Sequence, residues 1–143
     1  MPTRIQEPPE GFTLHKSGSP YLDHNGPFFT KGAGHDLVIG VYIAEKHVNG
    51  VGVAHGGFIA TFCDVALAGA CATVSNPPGS GLTVSLTIDF TGVAILGSWV
   101  ESHVEIHKDH GTLKFANMYL VCNEKSIARA SAVFRASDYS TAE

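Results

Sequence analysis

The sequence predicts an α+β fold, an antiparallel sheet wrapped around one long central helix. Three observations predict it. Residues 56–75 are apolar around more than one helical face, the pattern of a helix that lies inside a protein. Residues 82–90 alternate apolar and polar side chains with period two, the pattern of a half-buried strand. Short turn-prone clusters, Asp109-His110-Gly111 and Asn123-Glu124-Lys125, separate the later apolar segments, and turns that short join antiparallel neighbours.

In chain order, residues 1–27 form a lead rich in Pro, Gly and His, expected to be irregular or to hold a short helix, ahead of a single domain over 28–143. The lead has no apolar core followed by a cleavage site, so it does not read as a signal peptide, and a cytoplasmic protein is expected. Residues 36–43 read as a strand with Leu37, Ile39, Val41 and Ile43 on one face and Val38 and Tyr42 on the other. The helix follows, with Phe58, Ile59, Phe62, Val65, Ala66, Leu67, Ala70 and Cys71 as its apolar set. Asn76-Pro77-Pro78-Gly79 stops it, because proline lacks the N–H donor and pushes the preceding residue out of the helical region. In 82–90, Leu82, Val84, Leu86, Ile88 and Phe90 fall on one face, and Thr83, Ser85, Thr87 and Asp89 on the other. Strands over 98–107, 113–122 and 127–135 complete a four-stranded meander.

With 143 residues the chain is one domain's worth, long enough to bury roughly 70% of its extended surface. Hydrophobic residues make up 44% and charged residues 15%, well below the roughly 25% charged of an average domain. Apolar surface therefore stays covered, most simply by another copy of the chain. Nine basic residues against 13 acidic ones, a net charge of −4, argue against a nucleic-acid partner. The longest apolar stretch, residues 56–74, carries Asp64 in its middle, which argues against a membrane span. Cys63, Cys71 and Cys122 are odd in number and form no C-x-x-C pair, so buried, reduced thiols are expected in place of a disulfide framework or a zinc cage.

The candidate site is the run from Val48 to Gly57, which leads straight into the helix. Gly56 and Gly57 leave the first N–H groups of the helix uncovered by any Cβ at the positive end of its dipole, a geometry that welcomes an oxyanion. Tight packing of the helix on a strand would explain the same glycines. Asp64 has Ala60, Thr61, Leu67 and Ala68 as its helix-surface neighbours, none of them basic. Desolvation there would raise its pKa and make it a better base, while a structural hydrogen bond to a strand is the alternative. Gly56 and Asp64 are eight residues apart, about 12 Å along one helix at 1.5 Å per residue, too far to act on one carbonyl. Two antiparallel helices from two chains would bring Gly56 of one opposite Asp64 of the other, twice, across a two-fold axis.

These residues resemble the hotdog-fold acyl-CoA thioesterases, in the branch similar to the phenylacetate-pathway thioesterases and thioesterase superfamily member 2. The resemblance covers about residues 28–136 and rests on Asn49, His55-Gly56-Gly57 and Asp64, with Asn six residues before the His and Asp nine after it. It implies a sheet wrapped around the helix, paired into dimers and often tetramers, acting on an acyl-CoA substrate. It implies that the Gly56 N–H polarises the thioester carbonyl while Asp64 of the other chain is general base or nucleophile. By the same resemblance Asn49 positions the water or the thioester, and His55 orients the loop and the leaving group's surroundings. Thr83 falls where relatives carry a Ser that helps hold water.

No cofactor beyond the coenzyme A of the substrate is expected. His103, Glu105 and His107 share a strand face in the manner of a metal site, but an exposed polar face gives the same pattern, and no metal is expected. Lys108, Lys114, Lys125 and Arg129 are candidates to border the nucleotide, each also readable as solvated surface charge. Two other functions fit the fold: an enoyl-CoA hydratase or dehydratase, and a non-catalytic acyl-CoA-binding protein.

Overall fold

The computed structural model describes residues 5–75, 81–108 and 111–136. Two short strands, β1 (Thr13–Leu14) and β2 (Phe29–Lys31), flank a one-and-a-half-turn helix, α1 (Pro20–Asn25). Next come β3 (Val38–Tyr42), the long helix α2 (Gly56–Val74), and four long strands, β4 (Gly81–Phe90), β5 (Trp99–Lys108), β6 (Leu113–Cys122) and β7 (Lys125–Ala136). All seven strands form one sheet in the order β1-β2-β3-β5-β6-β7-β4, every pairing antiparallel. The sheet curls around α2, the hotdog arrangement.

The predicted α+β class, the helix and the late strands are all present, with boundaries within two residues. The turn between β6 and β7 is tight, with Asn123 at φ 51° and Glu124 at φ 65°, as a two-residue hairpin requires. The proline-rich stop at Asn76-Pro77-Pro78-Gly79, and Asp109 and His110, lie outside the described residues. Ser75 caps α2 in an extended conformation just ahead of that stop.

Three expectations need correction. The last four strands are not a simple meander, because β4 pairs with β7 at the far edge of the sheet and β5 pairs with β3. Helix α2 crosses the sheet face between β3 and β4 and delivers the chain to the opposite edge, which a tight turn cannot do. The lead holds the short helix that is one of its two expected forms: Ser19 caps α1, and beyond it β1 pairs with β2 and Phe12 packs edge-on against Trp99 with ring centroids 4.9 Å apart. The strand expected from residue 36 begins at Val38, after a 3₁₀ turn at Gly34–Asp36.

The alternation in β4 is also broken. A bulge between Thr83 and Ser85 places Thr83 opposite Phe134 and Ser85 opposite Val133. Directly opposed residues share a face, so Thr83 joins Leu86, Ile88 and Phe90 on the helix side while Leu82 turns away from it.

The core forms where α2 meets the sheet. Phe62, Cys63 and Leu67 are fully buried against Ile43, Val100, Leu120 and Phe134. Eight of the 19 residues of α2 are buried, and a strip through Ala60, Thr61, Asp64 and Ala68 remains only half-buried. The helix is long and apolar enough to cross a membrane, but its buried residues face the sheet. All three cysteines are buried and outside any disulfide, and burial together with the neighbouring Asp64 carboxylate pushes Cys63 up to about 12.

Candidate active site

Residues 48–55 form a small closed loop that aims the start of α2. Val48 bridges Ala54, the Asn49 N–H donates to Val53 O at 2.8 Å, and the Gly52 N–H donates to Asn49 O at 3.1 Å. Gly52, at φ +86°, supplies the left-handed residue this turn requires. Asn49 stabilises the loop from inside, its Oδ1 accepting the N–H groups of Val51 (3.0 Å) and Val53 (3.3 Å). Two backbone donors at one atom identify that atom as the oxygen. The loop is docked at its far side, where Ala54 N–H donates to Ala94 O at 2.8 Å and Val53 bridges Ile95.

His55 caps the helix. Its Nδ1 accepts the Gly57 N–H at 2.8 Å, which puts the neutral ring's proton on Nε2. Among the described residues, neither the Gly56 nor the Phe58 N–H has an acceptor, and Gly56 is the first of these donors at the positive end of a 19-residue helix. Tight packing does not explain Gly56, since a Cβ there would meet only the Phe90 ring at 3.7 Å, an ordinary contact. Gly57 differs: a Cβ would stand 3.0 Å from His55 Nδ1 and displace the cap.

Asp64 lies two turns further on, half-buried on the open strip of α2. Thr83 Oγ1 donates to its Oδ1 at 2.6 Å. The β4 bulge makes this contact possible by turning Thr83 toward the helix. Among the described residues no cation pairs with Asp64. The strand hydrogen bond weighed for Asp64 is therefore present, and among the described residues no partner takes Oδ2.

The five predicted site residues thus fall into two groups within one chain. Asn49, His55 and Gly56 stand together at the N-terminus of α2, and Asp64 and Thr83 stand together at its middle. Two features carried no sequence signal. Tyr21 of α1 reaches Thr61 Oγ1 at 2.9 Å, and Thr61 in turn donates to Gly57 O at 3.1 Å, so the lead touches the strip between the two groups. His47 is buried beneath the loop, with burial holding its pKa below the ordinary 6.5. Of the basic candidates, Arg129 pairs with Asp89 at 2.8 Å on the outer sheet face and Lys114 is buried. His103, Glu105 and His107 line the exposed face of β5, where Asn117 Nδ2 donates to His107 Nε2 at 2.7 Å. A cavity of about 540 Å³ on that outer face, lined by His103, Glu105, Tyr119 and Arg129 among others, contains none of the five residues.

Residues 51–112 match the family model described as the thioesterase superfamily. The chain is 43% identical over 127 residues to the Pseudomonas aeruginosa protein named "Putative esterase PA0474", covering 88% of this chain and 95% of that one. The chain belongs to the thioesterase superfamily. Hydrolysis of thioesters is the activity that membership carries, and it outweighs the hydratase and non-catalytic readings. Among solved structures, zebrafish thioesterase superfamily member 2 superposes on this thioesterase with a TM-score of 0.76 at 26% identity, covering 83% of this chain and 88% of that one. A point mutant of the phenylacetic acid degradation protein PaaI from Thermus thermophilus gives 0.72 at 23%, covering 82% and 100%. A hypothetical thioesterase from Streptococcus pneumoniae, solved with coenzyme A, gives 0.63 at 16%, covering 76% and 86%. The last two likenesses concern the fold alone. The branch expected from the Asn49, His55-Gly56-Gly57, Asp64 spacing is therefore the branch these comparisons reach.

Proposed function

We propose that the protein hydrolyses an aryl- or short- to medium-chain acyl-CoA thioester, at sites shared between the two chains of a homodimer. One observation carries the reading. A carboxylate held by a hydroxyl and an unpaired helix N–H both open from α2, on a spacing that one chain cannot bring together. Two antiparallel α2 helices would set Asp64 of one chain against Gly56 of its partner. Support for pairing comes from β4, a ten-residue edge strand whose Val84 and Phe90 are more than half exposed, and from the open strip of α2 beside it. Coenzyme A in the Streptococcus pneumoniae relative supports the choice of thioester.

In this reading the Gly56 N–H donates to the thioester oxygen, and more strongly to the oxyanion as it forms. Asp64 Oδ2 takes a proton from water while the resulting hydroxide adds to the carbonyl carbon. The tetrahedral intermediate then collapses, breaking the C–S bond, and the coenzyme A thiolate leaves with the proton that Asp64 had accepted, which restores the carboxylate. Thr83 orients the carboxylate by occupying Oδ1, Asn49 holds the loop that presents Gly56, and His55 engages the Gly57 N–H. Coenzyme A enters as part of the substrate, so no resident cofactor is required. In an alternative first step, Asp64 itself attacks and forms a mixed anhydride that water then cleaves. A single turnover in oxygen-18 water separates the two, since label in the enzyme's own carboxylate requires the anhydride.

The test is thiol release from a panel of aryl and aliphatic acyl-CoA esters by the unmodified protein and Asp64→Asn. Release that falls at least a hundredfold in the folded variant supports the reading, and the panel ranks the acyl groups. Binding of the esters without thiol release by the unmodified protein would overturn it.

A further inference from the structure

We propose that His47 is a positioning residue of this site, holding the Gly56 N–H in its donor position by gripping the chain on both sides of it. The inference rests on the thioesterase reading for its functional consequence. Its structural basis is the bracket His47 makes around Gly56. On one side, the His47 carbonyl accepts the N–H of His55, the residue just before Gly56, at 2.8 Å. On the other, the imidazole stacks on Phe58, two residues after Gly56, with ring centroids 3.8 Å apart and planes 16° from parallel.

The ring is itself fixed from two further directions. Nε2–H donates to the carbonyl of Asn25, the last residue of α1, at 2.6 Å, and Nδ1 accepts the Ala44 N–H at 2.9 Å. Both nitrogens are engaged and the residue is 2% exposed, so one neutral tautomer satisfies the site. Only a neutral ring can accept from Ala44, because in the imidazolium both nitrogens donate. Lys46 is the charged group beside the ring; α1 faces it with the Asn25 carbonyl, β3 with the Tyr42 backbone and α2 with the Phe58 ring. The two backbone contacts favour the cation, burial outweighs them, and no carboxylate acts on the ring. Protonation of His47 therefore breaks the Ala44 contact and loosens the loop that aims Gly56, without any contact between His47 and the substrate.

The experiment compares the unmodified protein with His47→Phe, which keeps the stack and removes both ring hydrogen bonds, and with His47→Gln, which keeps polar atoms and cannot titrate. At pH 8 the Phe variant is expected to lose about tenfold or more in kcat while KM changes by less than about twofold, since a misplaced donor acts on the transition state. The Gln variant is expected to recover part of kcat and to lack the acid fall in kcat expected of the unmodified enzyme, which sets in below the ordinary 6.5 because burial lowers the His47 pKa. The backbone amide resonance of Gly56, followed by NMR, is expected to move over that pH range in the unmodified protein and to stay fixed in His47→Gln. A Phe variant with kcat within twofold of normal, or an acid limb and an amide shift unchanged in His47→Gln, would overturn the proposal. Should the Phe variant fail to fold, the Gln profile and the amide shift decide. Absence of thiol release from the unmodified protein would count against the thioesterase reading, and the Gly56 amide shift would then decide the His47 proposal by itself.

Discussion

Replacing Gly56 by proline deletes one atom group, the backbone N–H, at a position where the fold tolerates the change. Gly56 is the first residue of α2, the helical position where proline's fixed φ and missing donor cost least. Proline restricts the preceding residue to extended or polyproline conformations, and His55 already sits at φ −62°, ψ 137°. A Cβ at position 56 meets nothing nearer than the Phe90 ring at 3.7 Å. No intramolecular hydrogen bond is lost, because among the described residues the Gly56 N–H has no acceptor. The predicted effect on stability is therefore within about 0.5 kcal/mol, as for surface changes away from special features. The effect on catalysis is large, since loss of a single oxyanion donor costs on the order of 3 kcal/mol, a factor of a hundred or more in kcat. Gly56→Ala is the control, because it adds the same Cβ and keeps the N–H. The assay is steady-state thiol release, with thermal melting and size-exclusion run on each variant. A folded Gly56→Pro protein with kcat within tenfold of normal would refute the assignment of Gly56 as the oxyanion donor.

Thr83→Val, which replaces the hydroxyl by a methyl, is expected to lower kcat about tenfold by removing the 2.6 Å hydrogen bond to Asp64, and Thr83→Ser to keep most of the activity. Thermal melting across pH is expected to show stability falling as pH drops below about 6.5: the unfolded state takes up the His47 proton there, while the buried ring, its pKa lowered, resists it. His47→Gln should flatten that part of the curve. Gly40→Ala is expected to cost about 2 kcal/mol in denaturant unfolding, because its Cβ would overlap the Trp99 ring that lies across Gly40.

Periodicity was legible wherever one side of an element is buried. The 113–122 alternation matches β6 residue for residue, and α2 was visible from its apolar density. Side-chain alternation in 82–90 continues unbroken through the bulge at Val84, so the sequence pattern put Thr83 on the face away from Asp64. The partner strand of β4 was hidden for a different reason. Sheet order depends on where a long connection lands, which no local pattern records. The Asn49, His55, Gly56 and Asp64 set was legible because all four lie in one 16-residue stretch whose spacing is distinctive. Tyr21 and His47 were not, because their contacts with Thr61, and with Asn25 and Phe58, join segments that sequence spacing leaves unrelated.

The sharing of each site between two chains is the central claim, and subunit mixing tests it directly. Asp64→Asn and Gly56→Pro each inactivate one half of every site. Co-refolded in equal amounts, they would place half the molecules in mixed dimers, each with one intact site and one doubly defective site. Sharing predicts recovery of about a quarter of the unmodified activity from two nearly inactive proteins. Recovery that never rises above the parent variants, with mixed dimers demonstrated by mass spectrometry, would place Asp64 and Gly56 in the same chain's site and contradict it.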